Sequence, residues 1–426
     1  MRSMRYILVA IGVFFLIAGI MVLLFYGCSD NHITNNTATR DDGPASIATR
    51  IDRNNEFAVD LFKHLASSDD NLIVSPHSIA TCFGMAYAGA RGNTERQIAD
   101  VLDFNYPPAG FHSVLGRLNT VLSQRAGIHL NIANGCWWQR GLHWEQPFLD
   151  TLATSYDADL DSLDFGADPT GARNTINQWM VDHSAGLLTD FLPPDAINAS
   201  TVMVLANTIY FQAEWLWPFD PDYTSNQQFL RLDESEVSVS FMMGEAHIPY
   251  VDGGDYTAIE MPYKGEQVSM IFILPDSGCY QAFEDTFTVD TYTHISAQLH
   301  SGYNHCVIIY MPKFGFYSRY DLNDTLKQMG ITDAFIPGIA DFSGMDGTAD
   351  GSPWLDFVMH KAYLMINEYG TLAFAGTAMG FSVGICEYFY AGRPFIFAIE
   401  DTQTGTVLFM GRVLDPSVGE YLHWPF

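Results

Sequence analysis

The sequence predicts one large α+β domain between residues 51 and 417. Segments with helical and with strand periodicity alternate throughout this range, and neither an internal repeat nor a second polar linker divides it. Of the 426 residues, 48% are hydrophobic and 14% aromatic, which is ample material for a large core. Length alone would allow two or three domains, but single α+β domains reach this size.

The first 28 residues have the pattern of an export element. Arg2 and Arg5 precede an apolar run over residues 6–27, which as a helix would span roughly 33 Å, about the thickness of a bilayer core. Gly27 followed by Cys28 resembles a bacterial-type lipoprotein cleavage site, although the aromatic residues before them are atypical. Lipidation at Cys28 and an uncleaved transmembrane anchor both stay open. Either would tether the protein to the cell membrane outside the cytoplasm, and cleavage without lipidation would secrete it.

Polar segments flank the predicted domain. Residues 29–50 are rich in Asn, Thr and Asp and lack periodicity, so we expect a disordered tether there. Residues 418–426 are predicted to form a short C-terminal tail.

The charge balance limits the partners that we expect. The chain has 49 acidic and 20 basic residues, a net charge of -29. Nucleic acids and heparin-like polyanions are bound by clustered Lys and Arg. We therefore expect neither as a partner.

Cysteines and histidines give no sign of a metal site. The six cysteines are widely spaced and form no CxxC pair. Some could pair in an oxidising compartment, but we expect mostly free or buried thiols. The sequence has no HExxH motif, and His294, His300 and His305 do not share one helical face. We predict no metal and no cofactor.

Apolar periodicity places the elements along the domain. Phe57, Leu61 and Leu65 predict a helix over 55–66, and Ser78 is the predicted N-cap of a second helix. The continuous apolar run at 201–211 is typical of a buried strand. Further strands are predicted at 72–75, 129–137, 257–262, 268–274 and 305–312, further helices at 174–185 and 322–329, and a hairpin at 395–413.

The segment 358–385 has features of both a strand and a loop. Its first third reads as a buried strand that ends before Gly370. From 371 to 377 every second side chain is Thr or Ala, which fits a strand with one crowded face. Three glycines between 376 and 384 weaken a permanent strand and suit an exposed loop. The segment is therefore either a mobile linker or a loop that becomes a strand.

The chain resembles the serpins, a family of serine protease inhibitors, over nearly all of 51–417. Seven motifs, each weak alone, occur in the family's order and spacing. They are NLIVSPHSI at 71–79, NTIYFQAEW at 207–215, MPY at 261–263 with LP at 274–275, MPKF at 311–314, ADFSG at 340–344, HKA at 360–362 with NEYGT at 367–371, and PF at 394–395 with FMG at 409–411. The resemblance implies an α+β fold of three β-sheets and about nine helices, with an exposed reactive-centre loop.

The resemblance also implies a mechanism. A target serine protease attacks the loop as a substrate and becomes acylated, and the cut loop then inserts into the central sheet and traps the acyl-enzyme. The chain itself would be a monomer, would supply no catalytic residue and would not be an enzyme. No GxSxG, SxxK or HExxH motif in a suitable context supports an enzymatic reading.

By the family pattern, the hinge of the loop contains six residues, of which the last four face inward after insertion: Glu368, Gly370, Thr371, Ala373, Ala375 and Thr377. The four inward residues include no charge and no proline, either of which would stall insertion. This composition favours an inhibitor.

Leu372 and Phe374 depart from the family pattern, which usually has Glu and a small residue there. We expect both to face solvent after insertion, so they should not block it, but exposed they would make the loop prone to aggregation. The departures keep a second hypothesis open, a non-inhibitory binding or structural protein on the same fold.

The bond that a protease would cut is predicted to within one residue. Counting back from Pro394 places Val383 before the cut, and counting forward from the hinge places Gly384 there, before Ile385. We favour the bond between Val383 and Gly384, because valine fills a small apolar specificity pocket. This indicates elastase-like or subtilisin-like targets. Cys386 would be a free loop thiol or a partly buried strand residue.

Two further groups of residues match family positions that control sheet opening. Ser75, Ser78, Asn207 and His360 match a polar cluster under the central sheet, and Trp215 and Glu368 match the point where the loop enters it. Buried hydrogen bonds in the first group would hold the strands closed yet allow them to part.

Overall fold

The computed structural model describes residues 44–102, 104, 108–348, 353–372 and 386–419, which fall within one compact unit, 42–426. Several predictions concern residues outside these ranges. They include the export element with Cys28, most of the tether, and the loop residues Ala373, Phe374, Ala375, Thr377, Val383, Gly384 and Ile385. Among the described residues, no helix is both long enough and apolar enough to span a bilayer.

The described residues contain ten α-helices. They are α1 Pro44–Leu65, α2 Pro76–Gly89, α3 Gly92–Val101, α4 Pro108–Ser123, α5 Gln146–Tyr156, α6 Pro169–His183, α7 Tyr280–Thr286, α8 Val289–Ser301, α9 Asn323–Met329 and α10 Ser343–Asp346.

Fifteen strands are described. They are β1 Leu72–Val74, β2 Ile128–Gln139, β3 Asp159–Leu163, β4 Met203–Glu214, β5 Ser225–Leu230, β6 Glu236–Asp252, β7 Tyr256–Pro262, β8 Val268–Pro275, β9 Asn304–Pro312, β10 Phe314–Asp321, β11 Met359–Asn367, β12 Gly370–Thr371, β13 Glu387–Tyr390, β14 Phe395–Asp401 and β15 Thr406–Val413.

The helix starts differ from the predictions in two places. Helix α1 begins at Pro44, so the prediction of a disordered tether is wrong for residues 44–50. Proline is favoured in the first helical turn because it needs no partner for an N–H there. Helix α2 is capped by Ser75, whose side chain accepts a hydrogen bond from the N–H of Ser78. The prediction of Ser78 as the cap is therefore wrong, and Pro76 fixes the first turn one residue after Ser75.

The strands form a six-stranded and a nine-stranded sheet. The six-stranded sheet has the order β10-β11-β12-β4-β2-β3. The nine-stranded sheet follows the path β1-β15-β14-β8-β7-β6-β9-β13, with β5 also paired to β6. Its 17-residue strand β6 pairs with β5 and β9 along most of its length and with β7 at its end, so it joins two smaller sheets. The predicted α+β fold is confirmed, with two of its three sheets sharing β6, and the β14–β15 pair confirms the hairpin.

The core lies on both faces of the central elements. One cluster fills the space between the two sheets and includes Phe211 and Trp215 of the β4 segment, Ile366 of β11 and Phe397 of β14. A second packs helices α1 to α5 on the other face of the nine-stranded sheet. A third packs α6 over the outer face of β2 and β4. The six-stranded sheet thus packs apolar side chains against the other sheet over much of its inner face and is covered by a helix over part of its outer face.

Helix α8 covers a buried acidic group. The Glu400 side chain in β14 accepts hydrogen bonds from the hydroxyls of Tyr292 and Ser296. His300, one turn further along α8, lies 3.6 Å from Glu400 and 3.4 Å from Glu260 in β7. Burial raises the pKa of Glu400 from 4.5 to about 7, and the hydrogen bond to Glu260 raises the pKa of His300.

These two shifts predict that the native state loses stability as the pH rises. Glu400 and His300 both bind a proton more tightly in the folded than in the unfolded protein. Protonation therefore stabilises the folded state fully below the pKa that the carboxyl has in the unfolded chain, and this stabilisation is lost as the pH rises through the pKa values of the folded state. For Glu400 the loss between pH 4.5 and pH 8 is about 3 kcal/mol. Thermal unfolding at pH 5 and pH 8 should show a smaller drop in midpoint for Glu400→Gln than for the parent. The exposed Glu56→Gln variant is the control, and equal drops in all three proteins would contradict the assignment.

Candidate functional site

A two-residue strand marks the predicted hinge. Gly370–Thr371 (β12) pairs antiparallel with β11 on one side, where Thr371 lies opposite Ile366, and with β4 on the other, where Thr371 lies opposite Ala213. Gly370 has a φ of +149°, and a Cβ at this position would lie 2.1 Å from the Ala213 carbonyl oxygen. Only glycine fits there, so the sequence ties the start of the loop to the top of the six-stranded sheet.

Strands β4 and β11 form no hydrogen-bonded ladder with each other in the described residues. Both are antiparallel to β12, so they run parallel and, where β12 separates them, lie about 10 Å apart, twice the usual strand spacing. A cavity of about 100 Å³ lies between their lower ends. The residues that line it include Phe83, Val204, Asn207, Phe357 and His360. We call the space between β4 and β11 below β12 the strand slot.

The chain stops following the strand direction at Leu372. Its φ is +53°, in the left-handed region that a branched side chain rarely adopts. Its N–H donates to the Met365 carbonyl at 3.1 Å, and its carbonyl accepts from the Gln212 side chain at 2.8 Å. The side chain is 5% exposed. Leu372 is therefore not exposed in this structure, because the turn directs its side chain into the protein; that it faces solvent after insertion stays a prediction.

Thr371 is held by a stack of aromatic rings. Its hydroxyl lies 2.6 Å from the hydroxyl of Tyr263, and both side chains are buried. The Tyr263 ring stacks on Trp215 with centroids 4.5 Å apart and planes within 8°. The indole N–H of Trp215 donates to the Asn367 carbonyl at 3.1 Å. Trp215 therefore supports the hinge from below and also fixes the end of β11.

Glu368 closes the top of the site with buried polar contacts. Its carboxylate accepts from the Lys313 ammonium at 2.9 Å and from the Thr224 hydroxyl at 2.9 Å. Its carbonyl accepts from the N–H of Phe219 at 2.8 Å. Burial alone would raise the pKa of Glu368, but the bonds from Lys313 and Thr224 outweigh it and lower the pKa. Trp215 and Glu368, predicted to share the entry point, do lie close together, because the backbone N–H of Trp215 donates to the carbonyl of Tyr369 at 2.8 Å and its indole N–H donates to that of Asn367.

The four residues of the predicted sheet-opening cluster lie together beneath the six-stranded sheet. The N–H of Ser75 donates to Nε2 of His360 at 3.1 Å, and the Ser75 hydroxyl donates to the carbonyl of Leu408 at 2.7 Å. The Ser78 hydroxyl donates to the Asn207 side chain. Burial lowers the pKa of His360 to about 4, consistent with a neutral ring that accepts a hydrogen bond. The cluster thus connects helix α2 to both strands that flank the slot.

Asn134 in β2 is a member of this cluster that the sequence analysis missed. Its side-chain oxygen accepts from the Asn207 amide at 2.8 Å, and its own amide donates to the Tyr156 carbonyl at 2.7 Å. It is buried in a predicted strand. A buried asparagine in an apolar strand needs polar partners, and that signal could have identified it.

Cys386 forms a disulfide with Cys306. Of the two alternatives for Cys386, the free loop thiol is wrong, whereas the residue is partly buried and immediately precedes β13. The expectation of unpaired cysteines is also wrong for this pair. Strand β13 pairs parallel with β9, with Glu387 opposite Val307, so the preceding residues of the two strands are neighbours. The other cysteines of the described residues, Cys82, Cys136 and Cys279, are free as predicted.

The contacts of Glu368 generate a testable prediction on stability. Lys313→Ala removes the ammonium and leaves the carboxylate buried, which costs about 1–3 kcal/mol of unfolding free energy. Thermal unfolding should show a lower midpoint for this variant and partial recovery in the Lys313→Ala/Glu368→Gln double variant. The exposed pair of Lys327 and Asp324 supplies the control, since Lys327→Ala should change stability by less than about 1 kcal/mol. A similar loss in both single variants would refute a special role for Glu368.

Comparison with known proteins agrees with this architecture. The family model described as Serpin (serine protease inhibitor) matches residues 52–416. A serpin-like protein of Methanosarcina mazei, itself uncharacterized, is 32% identical over 94% of this chain and 97% of its own length. Antithrombin-III of Bos taurus is 30% identical over 93% of this chain and 89% of its own. The solved structure of human thyroxine-binding globulin complexed with thyroxine superposes with a TM-score of 0.78, at 28% identity, over 88% of this chain and all of that one. The chain belongs to the serpin family.

Proposed function

We propose that this serpin inhibits elastase-like or subtilisin-like serine proteases as a suicide substrate, by inserting its cleaved loop between β4 and β11. The observation that carries the proposal is β12. The first two loop residues already occupy a strand position between β4 and β11, hydrogen-bonded to both. A chain that continued in this direction would enter the strand slot.

The register of β12 supports the assignment of inward positions. Extended along the two flanking strands, it places Thr377 opposite both Asn207 and His360. Directly opposite residues of antiparallel strands share a face, and Asn207 and His360 face the polar cluster under the sheet. Residues 371, 373, 375 and 377 would therefore all face inward, and small uncharged side chains suit the packed core there.

Insertion would supply the driving force. The same register gives room for about ten further residues along β4 before Met203. Each would gain ladder hydrogen bonds worth about 0.5–1.5 kcal/mol net, so the total is on the order of 10 kcal/mol. That is comparable with the whole stability of a typical domain.

The chemical step belongs to the protease. Its serine oxygen attacks the carbonyl carbon of Val383, the C–N bond to Gly384 breaks, and the amine of Gly384 leaves with the proton delivered by the protease. The ester at Val383 would then be drawn away as the loop enters the slot. Displacement of the protease distorts its active site before water hydrolyses the ester. The polar cluster at Asn207 and His360 would part and re-form around the new strand.

The loop sequence supports the target class. No Arg or Lys lies between 371 and 383, so trypsin-like specificity is not expected. We also propose that residues 1–28 place the protein outside the cytoplasm, tethered through Cys28 or by an apolar helix. The only partner proposed besides the membrane is the target protease, bound to a monomer.

The decisive experiment uses a panel of subtilisin-, elastase- and chymotrypsin-like proteases. On reducing denaturing gels, a covalent complex and a released fragment that starts at Gly384 are expected. Cleaved protein should also unfold at a much higher temperature than uncut protein. Cleavage with neither a complex nor a gain in thermal stability would instead support the non-inhibitory alternative.

A charge at an inward loop position should abolish trapping without preventing cleavage. Thr377→Arg would bring a guanidinium against the cluster at His360, where burial without a partner costs several kcal/mol. We expect it to be cut normally but to yield at least tenfold less complex. Phe374→Arg, on the opposite face of the inserted strand, is the matched control and should retain complex formation. Equal yields from the two variants would rule out the assigned register.

Removing the amide of Asn207 should weaken the polar cluster that ties β4 and β11 to helix α2, and so open the slot to a loop before any cleavage. Asn207→Ala leaves the Ser78 hydroxyl and the Asn134 side chain with unpaired groups, a cost of about 1–3 kcal/mol. We expect a lower unfolding midpoint and more polymer after mild heating, measured by calorimetry and size-exclusion chromatography. Asn226→Ala, in the exposed strand β5, is the control. Unchanged heat stability and monomer content for Asn207→Ala would contradict this role.

A further inference from the structure

The disulfide lies at the other end of the loop from the hinge. Cys306 is in β9, and Cys386 immediately precedes β13. The predicted reactive bond lies only a few residues before Cys386 along the chain. The disulfide therefore joins the segment that follows this bond covalently to the nine-stranded sheet.

Without the disulfide, β13 would be weakly held. It is a four-residue strand at the end of the sheet path, and in the described residues it forms a ladder only with β9. Phe389 is its one fully buried side chain, whereas Tyr388 is 66% exposed. Short edge strands with few buried side chains are the elements most easily detached from a sheet.

We propose that the Cys306–Cys386 disulfide is a covalent clasp that allows the loop to fill the strand slot only after the reactive bond has been cut. The proposal rests on the proposed function, because it concerns the same insertion. The clasp lies on the C-terminal side of the reactive bond. It therefore restrains the uncut loop at both ends but leaves the N-terminal part of a cut loop free.

Chain length decides whether an uncut, clasped loop could fill the slot. Fourteen steps along the chain separate Leu372 from Cys386, which reach about 50 Å when fully extended. Filling the slot down to the level of Met203 takes residues 372–381, about 33 Å of strand, which leaves five steps along the chain, about 18 Å, between residue 381 and Cys386. Those five steps span less than the length of the slot, so a loop that is still joined to β9 can fill only its upper part.

Release of β13 changes this result. If the chain were free as far as Phe395, where β14 begins, the uncut loop would gain nine steps and about 30 Å of reach. Fourteen steps, about 50 Å, would then remain between residue 381 and Phe395, which exceeds the slot length of about 33 Å. A dithiol would permit this release by reducing the disulfide. The S–S bond breaks, two thiols are left on the protein, and the dithiol is oxidised to its own disulfide.

Glu245 adds protection to the clasp. Its carboxylate lies within 4.8 Å of the sulfur atoms of Cys306 and Cys386. A thiolate must approach one of these sulfurs to start reduction, and a nearby negative charge opposes its approach. The position of Glu245 therefore disfavours attack on these sulfurs by an anionic thiolate.

The clasp makes a separate prediction for the cleaved protein. A cut between Val383 and Gly384 produces a C-terminal fragment of residues 384–426 that contains Cys386. This fragment should remain covalently joined to the body through Cys306 and separate only after reduction.

The test follows uncut, full-length protein during incubation at a temperature just below its unfolding midpoint. We would measure over time how much of the protein converts to a new form. This form is an uncut monomer that has the thermal stability of the cleaved form and a loop that resists proteolysis. Cys386→Ser, Cys306→Ser and reduced, alkylated parent protein should convert at least tenfold faster than oxidised parent. Cys279→Ser, which removes an exposed free cysteine, should behave as the parent does.

Two results would overturn the clasp. One is the same conversion rate in proteins with and without the disulfide, or no conversion in either. If a serine variant does not fold, the reduced and alkylated parent protein supplies the comparison. The other is separation of the 384–426 fragment on a gel without reductant. Failure of the proposed function is recognised separately, because cut parent protein would then gain no thermal stability whatever the state of its cysteines.

Discussion

Two residues, Gly370 and Thr371, keep β4 and β11 one strand-width apart, and the other features of the site depend on that separation. The pair bonds to both strands, so neither can close on the other at the top of the sheet. Gly370 is required because its α-carbon lies against the Ala213 carbonyl. Thr371 is fixed by Tyr263, which Trp215 supports in turn. The slot below exists because its upper end is held open.

In the proposed mechanism, the hydrogen bonds of the polar cluster beside the slot would break and re-form. Apolar packing between the two sheets is continuous and would resist any rearrangement, since packed cores tolerate little deformation. Hydrogen bonds such as those of Asn207 and His360 can exchange partners when a new strand arrives, provided that each finds another. Asn207 and His360 lie under β4 and β11, which is where the proposed mechanism needs movement.

Much of the fold followed from the sequence, and the errors have identifiable causes. The hairpin of β14 and β15 and the buried run in β4 were predictable because their periodicity is strong. The hinge was located by family resemblance, since the alternation after Gly370 fits a loop or a strand equally well. Two serines three residues apart both suit a helix cap, and only the position of Pro76 decides for Ser75. Burial of Leu372 depends on its left-handed backbone conformation, which cannot be predicted from a leucine in the sequence. The partner of Cys386 lies 80 residues away, and pairing of β9 with β13 cannot be read from either strand alone.

Strand β6 connects the two ends of the loop. One continuous strand supports β9, and through it β13 and the clasp, and at its other end pairs with β7. The chain then runs from β7 directly to Tyr263, which holds the hinge. Both ends of the loop are therefore connected to β6, one through β7 and Tyr263 and the other through β9 and β13. In the proposed mechanism, insertion of the cut loop would pull on the bound protease while β6 holds the strands that anchor the loop. The free energy of insertion would then displace the protease and would not deform the inhibitor.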